Sequence, residues 1–132
     1  MCREKGENIM AKKKVFISFD YDNDLKLKNL LAGQAKLQDS PFEISDWSLK
    51  EVTPEKDWED KAEAKIKRSN IVVVIVGDKT SKASGVKKEV KIARKNNITI
   101  VQIKVQKTNP SKVADAGVLY DWTWDNLKSI LK

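Results

Sequence analysis

Residues 71–77 read Ile-Val-Val-Val-Ile-Val-Gly, six apolar β-branched side chains in succession closed by a glycine. A strand with one wet face alternates apolar and polar residues; an unbroken apolar run is what a strand covered on both faces requires, as in the middle of a parallel sheet. The neighbouring segments supply the covers. Upstream, Thr53 and Pro54 offer a cap and a first helical position, and Trp58, Ala62 and Ile66 recur at helical spacing, which places Trp58 in the core. Downstream, Ser84 caps a helix that turns Val86, Glu89, Val90 and Ala93 inward and is closed by Asn96 and Asn97. Further out, 98–105 (ITIVQIKV) and 119–122 (LYDW) read as strands, and a last helix carries Leu127, Ile130 and Leu131. On the N-terminal side, 14–19 (KVFISF) is a first strand. Asp22 or Asn23 then caps a helix with Leu27, Leu30 and Leu31 on one face, and 42–47 (FEISDW) alternates as a more exposed strand.

Strand and helix alternate throughout, so right-handed βαβ units follow, and with them an α/β flavodoxin-like three-layer fold around a parallel sheet of about five strands. The 132 residues and 15.0 kDa suit one domain. Residues 1–13 lack periodicity and read as a flexible leader to a domain spanning 14–132, with Met10 as an alternative start. No apolar run approaches the roughly 18 residues of a membrane span and no secretory signal core is present, so a cytoplasmic protein without a membrane partner is expected.

Composition closes off several chemistries. With no histidine and a single cysteine, Cys2, serine–histidine and cysteine–histidine catalysis, histidine-ligated zinc and internal disulfides are excluded, and no metal site is expected. The scattered glycines form neither a P-loop nor a dinucleotide fingerprint. The net charge of +7 is concentrated between Lys79 and Lys95, where seven bases face one acid. Lys87, Lys91, Arg94 and Lys95 share a helix face, which reads as a solvated surface; no aromatics interleave with it, so nucleic acid is not an expected partner.

In an open sheet of this kind ligands sit beyond the carboxyl ends of the strands, where the strand order reverses. Strand one delivers Ser18, Phe19, Asp20 and Tyr21 there; strand two delivers Asp46, Trp47 and Ser48; strand three delivers Gly77, Asp78, Lys79, Thr80 and Ser81. Glu89, the lone acid of its basic segment, lies on the apolar side of the next helix, where a carboxylate is costly unless it is used chemically or paired with a lysine. Trp47, at a strand end, suits either packing beneath a loop or stacking on a base or nicotinamide, and the cleft is the preferred placement. Asp20, Asp22 and Asp78 also suggest the acidic pocket of phosphoacceptor receiver domains. The hydroxyl residue after strand four and the Lys-Pro after strand five that receivers carry are missing.

Val15-Phe16-Ile17-Ser18-Phe19, Ile44-Ser45-Asp46-Trp47-Ser48, Ile66-Lys67-Arg68-Ser69-Asn70 before the central strand, Val86-Lys87-Lys88-Glu89-Val90 and the closing Tyr120-Asp121-Trp122-Thr123-Trp124 together resemble the bacterial TIR-like family that includes the TIR subunit of Thoeris anti-phage systems. The resemblance implies a flavodoxin-like fold and cleavage of NAD, as substrate and not cofactor, at the nicotinamide–ribose bond, giving ADP-ribose or a cyclised signal that activates a partner effector. It implies Glu89 as the catalytic carboxylate and Phe19, Asp20, Asp46 and Trp47 as cleft-lining positions; Ser18, Asp78 and Ser81 join them from their place at the strand ends. Gly85 departs from the aromatic residue common in the family just before the Val-x-x-Glu run. The family reading also leaves room for a homo-oligomer and a phage-derived trigger. A non-catalytic TIR-like assembly module is the main alternative, ahead of a receiver-like phosphoacceptor.

Overall fold

The computed structural model describes residues 12–50 and 54–132. Its strands are β1 (Lys13–Ser18), β2 (Phe42–Trp47), β3 (Ile71–Ile75), β4 (Thr99–Lys104) and β5 (Leu119–Asp121), and its helices α1 (Leu25–Gln34), α2 (Glu55–Lys67), α3 (Ser84–Lys95) and α4 (Trp124–Leu131), with a 3₁₀ turn at Thr80–Lys82. The strands form one all-parallel sheet in the order β2-β1-β3-β4-β5.

β3 is buried at every position, as its unbroken apolar run requires. Alternation along the strands then sorts side chains to two faces. Val15, Ile17, Val73 and Ile75 pack with Leu31 of α1 and Leu127 and Leu131 of α4. Phe16, Val72 and Val74 pack with Ile66 of α2 and Val86, Val90 and Ala93 of α3. Lys87, Lys91, Arg94 and Lys95 lie on the outer, exposed side of α3.

Several local expectations need correction. Leu30 is 61% exposed, because α1 turns Leu31 and the stem of Lys28 inward instead. The N-cap position of α1 is Asp24, not Asp22 or Asn23, and its carboxylate is engaged elsewhere. Ala83 holds the N-cap position of α3, and Ser84 is already helical. The 1–13 leader, Cys2 and Met10 included, lies outside the described residues up to position 11, and Lys13 already belongs to β1. The expected Thr53 cap also falls outside them.

The irregular stretch between β4 and β5 is fastened by Gln102, which is fully buried. Its amide donates to the carbonyls of Val113 (3.1 Å) and Gly117 (2.9 Å), and its Oε1 accepts from the Val113 N–H (2.8 Å). Gly117 is required there: its φ is +83°, and a Cβ would collide with the Ile100 carbonyl.

Among the described residues no helix is long and apolar enough to cross a membrane.

Candidate active site

At the carboxyl ends of β1 and β2 a cleft of about 550 Å³ opens between the β1–α1 turn, the residues following β2 and the start of α3. Its innermost polar group is Glu89, fully buried on α3. One carboxylate oxygen, Oε1, accepts hydrogen bonds from Ser18 Oγ at 2.7 Å and Ser48 Oγ at 2.6 Å. Ser48 is itself fixed: its N–H donates to the Ile17 carbonyl (2.9 Å), and its Oγ accepts from the Phe19 N–H (3.1 Å). Two strand ends thus aim hydroxyls at one carboxylate oxygen, an arrangement that fixes its position.

The walls are aromatic and charged. Phe19 and Tyr21 stack with ring centroids 5.6 Å apart. Asp20 is largely buried and accepts from the Asn23 amide at 2.7 Å. Trp58, 1% exposed, reaches the cleft from α2 and donates its indole N–H to the Leu49 carbonyl (3.2 Å). The Lys88 ammonium lies 5.7 Å from the Trp58 ring and pairs with Glu55. Lys50, Lys79 and Lys82 stand at the rim, and Gly85 forms part of the wall beside Val86.

Of the residues singled out from sequence, Phe19, Asp20 and Glu89 line this cleft and Ser18, fully buried, meets Glu89 without lining it; Asp46, Trp47, Asp78 and Ser81 do not line it. Asp46 turns to α2, with Lys65 at 2.7 Å and Arg68 at 3.9 Å. Trp47 turns to the opposite face, where the Lys28 ammonium sits 4.3 Å from its ring and 38% of the residue remains exposed. Asp78 is exposed on the loop after β3, and Ser81 lies on the 3₁₀ turn.

For Asp46 and Trp47 the reason is a register shift. Val15 pairs with Ile44, but Phe16 pairs with Asp46 and Ile17 with Trp47, so β2 carries one extra residue. Without the bulge Trp47 would lie alongside Ser18; with it Ser48 does, and the two hydroxyls meet Glu89 together. Sequence placed Ser48 at the strand end but did not single it out, since no residue pattern marks the bulge.

A second cluster braces the cleft from behind. Thr80, fully buried, donates to Asp24 Oδ2 (3.0 Å) and accepts from the Gly77 N–H (2.7 Å). A Cβ on Gly77 would come within 2.6 Å of the Asp24 carboxylate, so glycine permits the close approach. Burial pushes the Asp24 carboxyl above its ordinary value; the Thr80 hydrogen bond opposes the shift, while the Asp20 and Asp78 charges reinforce it. Between the two values the native state therefore retains a proton that the unfolded chain has already lost. Asp24's contribution to stability is fully present below the ordinary carboxylate value and is lost as pH rises through the raised one. In urea unfolding across a pH series, wild type is expected to gain stability relative to Asp24→Asn as the pH falls through that window. Parallel curves for the two proteins would contradict this.

Among the described residues no group of three or more carboxylates or cysteines is placed to hold a metal ion. The acidic pocket of a receiver is not assembled, since Asp78 stays outside the cleft and Lys104, at the end of β4, pairs with Asp121 at 2.7 Å.

Sheet order, three layers and a cleft at the strand reversal define an α/β domain of flavodoxin-like, TIR-like architecture. The chain belongs to the family of the TIR-like domain of the Thoeris protein ThsB, whose family model matches residues 16–110. That span holds Ser18, Ser48 and Glu89 and ends before the Tyr120–Trp124 stretch. A search among curated proteins returned no match.

Proposed function

We propose that this domain cleaves NAD at the nicotinamide–ribose bond and serves anti-phage defence by releasing an ADP-ribose-type product that signals to an effector protein. The observation that carries the reading is Glu89, a wholly buried carboxylate held by Ser18 and Ser48 at the inner end of an open cleft. A buried carboxylate needs a reason, and this reaction supplies one. Nicotinamide departs with the bonding electron pair and becomes neutral, leaving an oxocarbenium-like ribose. Glu89 stabilises that positive charge or holds the ribose hydroxyls. Water then adds at the anomeric carbon and releases a proton, or a nucleophile elsewhere on the ADP-ribose closes a ring. The leaving group is already cationic in the substrate, so it needs no general acid, consistent with a chain that has no histidine.

The test is nicotinamide release from NAD by the purified protein, with and without extract of phage-infected cells. Release that depends on the protein supports the reading; no release in either condition overturns it and favours a non-catalytic assembly module.

A further inference from the structure

We propose that Lys79 and Lys82 form a preorganised cation pair that binds the diphosphate of a dinucleotide in the cleft, an inference that rests on the NAD reading and extends it to the recognition of the substrate's centre.

The pair is built by the turn that carries it. The Lys82 N–H donates to the Lys79 carbonyl (3.1 Å) and the Ala83 N–H to the Thr80 carbonyl (3.0 Å), closing a 3₁₀ turn. Lys79 opens this turn and Lys82 ends it. Both line the cleft. Thr80, between them, is fully buried and tied to Asp24 and Gly77, so the turn is anchored by its middle while its two ammonium groups remain outside.

Charge placement points the same way. Lys65, Lys95 and Lys104 are matched with Asp46, Glu63 and Asp121, while, among the described residues, unpaired lysines such as Lys87 and Lys91 face solvent on the outer side of α3. Among the described residues neither Lys79 nor Lys82 has an ion-pair partner, though both lie beside a cleft. At the same rim α3 begins with no acidic residue in its first turn, so the positive end of its dipole adds to their field. The same lining carries three carboxylates, Asp20, Asp22 and Glu89, with Glu89 the buried one. A ligand with a cationic ring at one end and a dianionic bridge in its middle can use both kinds of group: nicotinamide ribose toward the buried Glu89, diphosphate toward the exposed lysines.

The test is calorimetric titration of the whole protein with ADP-ribose, and with adenosine as a phosphate-free control. Wild type is expected to bind ADP-ribose with an affinity that falls as salt rises. Lys79→Gln/Lys82→Gln should weaken it about a hundredfold, roughly tenfold for each charged hydrogen bond removed. Lys79→Arg/Lys82→Arg should stay within a few-fold of wild type, and adenosine should bind all three alike. Failure of wild type to bind ADP-ribose, an unchanged affinity in the glutamine variant, or an equal loss of adenosine binding would each overturn the pair. The two readings fail separately. Nicotinamide release with an unchanged KM for NAD in the glutamine variant removes the pair and leaves the cleavage reading intact. Selective loss of ADP-ribose binding in a protein that never releases nicotinamide supports the pair and removes the cleavage reading.

Discussion

Glu89→Gln is expected to lower kcat for nicotinamide release by about a thousandfold, the scale of removing one preorganised electrostatic group from a water-poor site. Glutamine has the size of glutamate, and its carbonyl oxygen can still accept the hydroxyls of Ser18 and Ser48, which stand 2.7 and 2.6 Å from Oε1. Lost is the negative charge opposite the ribose as nicotinamide departs. The melting temperature should therefore move by only a few degrees. Steady-state kinetics and a thermal melt on the same preparation decide the matter. A variant that unfolds as readily as it loses activity would mean that Glu89 serves the fold, and full activity would remove it from the chemistry.

Trp58→Ala should carry the largest cost in stability, about 3–5 kcal/mol, the range for emptying the seat of a buried large aromatic. The indole is 1% exposed and tied to the Leu49 carbonyl, so truncation opens a cavity and releases a backbone anchor together. For a chain of this length that lowers the melting temperature by roughly 10–20 °C. Because Trp58, Leu49 and Lys50 all line the cleft, the KM for NAD should rise as well. Urea unfolding gives the first quantity; a loss below about 1 kcal/mol would show that the surrounding side chains close over the gap.

How much of this was legible beforehand depended on the range of the signal. The apolar run at 71–76 carries its own answer, because only a strand covered on both sides tolerates it, and the alternation of elements around it yields the layers. Glu89 was legible through local contrast, as one acid among bases on an apolar helix face. Misplacing Trp47 and passing over Ser48 share one cause: a single inserted residue in β2 reverses which side chains face the cleft, and the bulge is defined only by pairing with β1. The Leu30 error has another source. Leucines at positions 27, 30 and 31 cannot all lie at the centre of the buried stripe of a ten-residue helix, and packing, not spacing, chose Leu31.

The strand order also dictates a sequence of events during synthesis. β1 lies between β2 and β3, and the contact from the Lys14 N–H to Asn70 closes a loop of 56 positions. No two consecutive strands form a hairpin, so every pairing must close across an intervening segment before it is rewarded. When the first half of the chain leaves the ribosome, β1 has only its edge neighbour β2, and its other side lacks a partner until β3 emerges. Ser18 and Ser48 can approach each other at that stage, but α3 follows β3, so Glu89 joins them only after the central strand has been made. Productive folding is therefore expected to be governed by late, long-range closure, and the buried carboxylate is among the last parts of the cleft to arrive.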